Sequence, residues 1–317
     1  SEMCIRDRCR ENPLGKGRNM KNEIGTGIAD IAVLNEIYEI VKTHTKSQYQ
    51  NVIYQKASYP FMYHLAELRG NIIQCLPISK EHSVLEIGAE CGVITETLVQ
   101  KAGEVTYITD TKLQDNIIRM RIEKNISNLN KTKITGYYGQ YCEIENKLEK
   151  YDYIILVGSF RYASEMLKDS KNPYVELLKQ LRTHLKQSGR VILADANRLG
   201  LKYFAGCQED YFGGYFEGIE GYPTTQEFKT FTHCEYMQLL KDAGYENIEF
   251  YYPYPDYKFT TTIYSENYLP QKGELGNNLR NFDRERYQFF DERRVFDTLI
   301  EEGLFEEFSN SFLICAN

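Results

Sequence analysis

The chain has 317 residues, 42% hydrophobic and 26% charged, with a formal net charge of −7 at pH 7. That is an ordinary globular composition, enough for one large α/β domain with additions or two small domains. It carries no basic footprint for nucleic acid, and no run of about 18 apolar residues that would span a membrane. Eight cysteines without a C-x-x-C pair read as reduced thiols of a cytoplasmic protein. No metal site is expected, because Cys234 beside His233 has no partner at ligand spacing.

Residues 1–19 read as a spurious or disordered leader, with Met20 as the natural start. Residues 20–80 are expected to form a helical N-terminal extension. Apolar residues recur at helical spacing over 28–41, and a second helical patch covers 63–76, ended by Pro77. From 81 to 265 strand-like and helix-like runs alternate, the pattern of βαβ units and a parallel sheet. Strands are predicted near 83–88, 104–109, 133–138, 152–157 and 190–195. Helices are predicted near 92–101, 112–127, 142–149 and 173–187, with Gly189 as a helix end. Residues 196–228, dense in Gly, Tyr, Phe and acids, form an insertion after the fifth strand, where lids and binding loops belong. A helix over 233–243 ends at Gly244. Runs at 245–252 and 257–264, joined by a turn at 253–256, predict an antiparallel hairpin. Residues 266–317 supply a charged helix near 282–302 and a last strand near 308–314. The expected fold is an α/β, Rossmann-like, seven-stranded and mostly parallel sheet, with 257–264 as its antiparallel strand.

The most telling stretch is Ser83-Val84-Leu85-Glu86-Ile87-Gly88-Ala89-Glu90-Cys91-Gly92-Val93-Ile94-Thr95. An apolar run ends in an acid, passes through a glycine turn and opens into a helix. A buried strand fixes such a turn, glycine lets the backbone approach a ligand, and the helix presents free N–H groups. Dinucleotide dehydrogenases use a related turn, so the motif alone leaves two classes open.

With this spacing the stretch resembles motif I of class I S-adenosylmethionine-dependent methyltransferases. From about Tyr63 onward the chain is similar to a methyltransferase-like family of clostridial surface-polysaccharide gene clusters. The resemblance is carried by Tyr63-His64-Leu65, motif I, Asn197–Gly206, Phe216–Tyr222, Tyr252–Phe259 and Phe308–Leu313. It implies S-adenosylmethionine as cofactor and a small polar or glycan-linked acceptor, with glycosyltransferases as associates. The alternative is a non-catalytic binding or scaffold protein that keeps the fold. The resemblance implies that Glu86, Gly88, Ala89, Gly92, Thr109, Asp110 and Gly158 line the cofactor site and that Asn197, Lys202 and Tyr203 contact substrate. Asp210, Glu220 and His233 are the candidates for a catalytic base. Read from the residues alone, Glu86 could instead cap the turn, Asp110 could be a helix N-cap, and His233 an N-cap or surface histidine. The chain departs from the family pattern in several places. Glu90 replaces a glycine, Thr109 the ribose-binding acid, Arg161 a glutamate, Tyr211 a histidine and Ala196 a glutamate, and tyrosines occupy 137 and 138. Glu90 is expected at negative φ, with its side chain turned to solvent or to a nearby cation.

Overall fold

The computed structural model describes residues 31–126, 132–209, 214–225, 228–276 and 288–317. The expected leader and the candidate base Asp210 therefore lie outside the described residues. Three helices come first: α1 (Ile31–Thr43), α2 (Tyr49–Lys56) and α3 (Tyr59–Leu65). The alternating region follows as β1 (Ser83–Ile87), α4 (Val93–Lys101), β2 (Glu104–Thr109), α5 (Lys112–Asn125) and β3 (Lys133–Tyr138). It continues through α6 (Tyr141–Ile144), β4 (Tyr151–Val157), α7 (Ala163–Met166), α8 (Pro173–Thr183) and β5 (Leu185–Ala196). Beyond these lie α9 (Leu201–Phe204), α10 (His233–Asp242), β6 (Ile248–Tyr254), β7 (Thr262–Ser265), α11 (Glu292–Glu301), α12 (Phe305–Phe308) and β8 (Ser311–Ala316).

The strands form one sheet in the order β3-β2-β1-β4-β5-β8-β6-β7. Strands β1 to β5 pair in parallel, β8 runs antiparallel to both β5 and β6, and β7 is antiparallel to β6. This is a Rossmann-like, mostly parallel α/β sheet with an antiparallel end. The strand order reverses between β1 and β4, and the crevice at their carboxyl ends is where such folds bind ligands.

The sheet has eight strands, not seven. Residues 245–264 do make the expected antiparallel hairpin, as β6 and β7, with β7 confined to Thr262–Ser265 at the edge of the sheet, and β8 is a further antiparallel strand inserted between β5 and β6. Burial explains which of the two lies inside. All six residues of β8 are buried, whereas only Tyr264 is buried in β7. A uniformly apolar strand is stable where both its edges are paired, and a short half-polar one suits the edge. Two helices also end earlier than the sequence predicts. The patch over 63–76 is helical only to Leu65 and then tightens into 3₁₀ turns over Glu67–Ile73. Helix α8 stops at Thr183, and Gly189 lies inside β5, where an added Cβ would meet the Tyr151 carbonyl at 2.8 Å. It is close backbone approach that requires glycine there, not a helix end.

Apolar side chains alternate along the strands and feed a core on each face. One joins Leu85, Leu156, Leu193 and Ile314 to α8, α10 and α11, and the other joins Val84, Val105, Ile155 and Leu313 to α4 and α5. A third cluster packs Ile37, Val41 and Phe61 of the N-terminal helices against Ile117 of α5. Lys124 of α5 fastens α1 by donating to the carbonyls of Val41 (2.6 Å), Lys42 (2.9 Å) and His44 (2.8 Å) at its end. No described helix is long and apolar enough to cross a membrane.

Candidate cofactor and substrate site

The β1–α4 turn is built from three left-handed residues: Gly88 (φ 84°), Glu90 (φ 49°) and Gly92 (φ 81°). The Gly88 and Ala89 amides donate to the Ile108 carbonyl at 3.0 and 2.9 Å, which folds the turn over the end of β2. Gly92 caps α4, and a Cβ there would meet Ile118 at 2.8 Å. Glu86, two residues before the turn, is 3% exposed, and its Oε2 has no hydrogen-bond partner among the described residues. It therefore does not cap the turn. Burial pushes its carboxyl up to about 7, and Glu90 adds to the shift. The Thr95 hydroxyl and Arg69 oppose it.

Glu90 corrects an expectation: its φ is positive, not negative. Its side chain does turn to a cation. Oε2 accepts from Arg69 Nη1 at 3.2 Å and Oε1 from the Tyr63 hydroxyl at 3.2 Å. The Arg69 guanidinium lies 3.5 Å from the Tyr63 ring centroid. A left-handed glutamate costs about 1 kcal/mol, and this half-buried ion pair with its cation–π neighbour offsets that. Thr109 is drawn into the same knot, because its hydroxyl donates to the Glu90 carbonyl at 3.1 Å. Asp110 is exposed and is not the cap of α5, a role taken by Thr111. Protein nonetheless surrounds its carboxyl on the remaining sides. Desolvation first, then Glu90 and Glu165, push it up to about 7.

At the end of β4, Gly158 (φ 74°) donates to the Ala194 carbonyl at 2.7 Å. The space beside Gly88 and Gly158 is already filled. A Cβ on Gly88 would meet the Ser159 Cβ at 2.5 Å, and one on Gly158 would meet the Tyr257 hydroxyl at 3.0 Å. Ser159 is pinned by donating to the Ile87 carbonyl at 2.6 Å. Next to it Arg161 and Asp195, each with a side chain 1% exposed, form a buried ion pair, and Arg161 also donates to the Tyr257 hydroxyl at 2.8 Å. The sequence reading gave Asp195, Tyr257 and Arg69 no role. Asp195 carried the same signal as Glu86, an acid closing an apolar run. Arg69 and Tyr257 fall within runs read as a helix over 63–76 and a strand over 257–264, and neither periodicity marks a residue that reaches the site.

Glu86, Gly88, Ala89, Gly92, Thr109, Asp110 and Gly158 thus share the carboxyl ends of the adjacent strands β1, β2 and β4. The substrate candidates lie deeper than a loop role suggests. Asn197 is fully buried, and its amide donates to the carbonyls of Glu307 and Ser309, both at 2.8 Å. Lys202 and Tyr203 are buried on α9, with Lys202 Nζ 3.9 Å from Asp256. The 255–261 connection meets both groups, since Asp256 faces Lys202 and Tyr257 faces Gly158. Glu220 is exposed on the insertion. His233 opens α10, whose cap is Thr232, and its ring packs on Phe250 and Phe312 with centroids 4.0 and 5.9 Å away. A buried acid with an unmet acceptor, beside a second acid that water reaches, suits a ligand with a cationic group and nearby hydroxyls.

No protein-family profile matches the chain, and no curated protein sequence does. Solved structures similar to it include a SAM-dependent methyltransferase from Archaeoglobus fulgidus. That likeness has 15% identity and a TM-score of 0.44, over 79% of this chain and 93% of that one. Another is a SAM-dependent methyltransferase from Thermotoga maritima, at 12% identity and TM-score 0.44 over 90% of this chain and 99% of that one. A third is precorrin 8W decarboxylase from Methanobacterium thermoautotrophicum, at 16% identity and TM-score 0.39 over 80% and 90%. The strand order described above, not these distant likenesses, defines the fold.

Proposed function

We propose that this chain is a class I S-adenosylmethionine-dependent methyltransferase acting on a small polar or glycan-linked acceptor in the cytoplasm. The observation that carries the reading is Glu86, a buried carboxylate with an unmet acceptor at the point where the strand order reverses. A ligand ammonium there would satisfy it, and Asp110 would accept from ribose hydroxyls, so the residues fit this cofactor. The cofactor, when bound, supplies an activated methyl group. The chain's part is then to hold an acceptor in line with that methyl, which demands position more than acid–base chemistry. On that reading the site needs no dominant acid–base pair, and none stands out among the described residues. The nature of the acceptor, and a role beside glycosyltransferases, rest on the sequence resemblance.

A second reading, a non-catalytic protein with this fold, is favoured by one observation. Ser159 and Tyr257 fill the space beside Gly88 and Gly158. Calorimetry with S-adenosylhomocysteine separates the two. The enzyme reading expects saturable binding that Glu86→Gln weakens at least about tenfold, the loss of one charge-assisted contact. No binding at millimolar ligand would favour the scaffold, and saturable NADH binding would favour a dehydrogenase.

A further inference from the structure

We propose that His233, Cys234 and Glu307 form a zinc site with one coordination position left for water. The three residues come from two separated elements, the first turn of α10 and the last turn of α12. One ligand atom from each lies within 4.8 Å of the other two. Zinc takes nitrogen at about 2.0–2.1 Å and thiolate at about 2.3 Å, which spaces tetrahedral ligand atoms about 3.3–3.8 Å apart. Reaching that spacing would fall to rotation of the Cys234 and Glu307 side chains, since the His233 ring is packed on Phe250 and Phe312. The donor set is chemically selective: imidazole with thiolate favours zinc over magnesium or calcium, which prefer oxygen alone.

Independent observations point the same way. His233 Nε2 is buried without a hydrogen-bond partner among the described residues. A buried ring nitrogen left so is costly, and metal at one nitrogen fixes which of the two carries the proton. Phe250 and Phe312 hold the ring in place. Glu307 is positioned through its backbone, whose carbonyl accepts from Asn197 at 2.8 Å. Cys234 is exposed and free, so an ion can enter from solvent. On binding, the thiol releases its proton and its sulfur bonds the metal as thiolate. The bound ion would tie α10 to α12 beside the end of β5, with its open position towards solvent. None of this depends on the methyltransferase reading.

The test uses the full chain, stripped with a chelator and titrated with zinc alone. One equivalent should bind, and cobalt in its place should give a thiolate-to-metal charge-transfer band. Cys234→Ser should abolish that band. Cys234→Ser and Glu307→Gln should each weaken zinc by more than the roughly 10- to 100-fold that loss of an outer-shell partner brings. Cys75→Ser and Cys142→Ser, at the other exposed cysteines, should leave binding unchanged. Circular dichroism checks that each variant folds. Glu307→Gln keeps the shape of the side chain and decides the matter if Cys234→Ser does not fold. No stoichiometric binding, or equal affinity in Glu307→Gln, overturns the site.

Discussion

A carboxylate at the end of a buried strand is costly to ionise, and Glu86 makes the cost measurable. Its pKa is about 7 in the folded chain against 4.5 ordinarily. The folded state therefore holds the proton longer than the unfolded one. The contribution to stability is full below pH 4.5, falls as pH rises towards 7, and is flat above. Its size is at most on the order of 3 kcal/mol. Asp110 pushes in the same direction, so the comparison that isolates Glu86 is wild type against Glu86→Gln. Melting temperatures of the two should converge near pH 5 and separate by pH 8, with the glutamine variant higher; parallel pH profiles would contradict this. Glu90 makes a second case. Glu90→Gly relieves about 1 kcal/mol of left-handed strain but strips the acid from Arg69, itself 4% exposed. Leaving a buried cation unpaired costs about 3–5 kcal/mol, so the net expectation is a loss of about 2 kcal/mol or more. Urea unfolding should show the combination with Arg69→Met recovering part of that loss, and simple additivity of the two changes would speak against the pair.

At the level of elements, burial decided what periodicity could not. The sequence predicts a last strand near 308–314, which lies at Ser311–Ala316 because Phe305–Phe308 closes a helical turn first, but nothing local says that it inserts between β5 and β6. Only pairing on both edges does. Its amides should accordingly exchange with deuterium as slowly as those of β4 and β5. Exchange at the rate of a frayed terminus would refute the central placement. The parallel core was legible because apolar runs in β1, β4 and the second half of β5 alternate with helical segments at βαβ spacing. Helix ends were less so: α8 stops short, and Gly189 serves a tight backbone crossing that has no one-dimensional signature. The site divides in the same way. Glu86 and the glycine turn stand out in the chain, whereas the left-handed Glu90 follows from Arg69 and Tyr63, whose approach depends on how the N-terminal helices dock.

Across the whole molecule, α5 links the layers. Ile118 and Ile122 face the sheet, and Ile117 faces α1 and α3, so one helix belongs to two cores. The N-terminal helices cannot leave without uncovering Ile117 and Arg121, which is 1% exposed. Unfolding should therefore be a single transition, with tyrosine fluorescence and far-ultraviolet circular dichroism melting together. An earlier loss of helix signal would show that the N-terminal layer melts by itself. The position of β8 also matters while the protein is being made. β8 emerges from the ribosome after every strand it joins, so a nascent chain holding β1 to β7 has β5 and β6 with open edges. A chain stalled or cut before Ser311 would present both edges to its neighbours on the polysome, where open strands pair between molecules. β8, made after the seven other described strands, closes the gap between β5 and β6, so its arrival rather than that of the early βαβ units ends the exposure of those two edges.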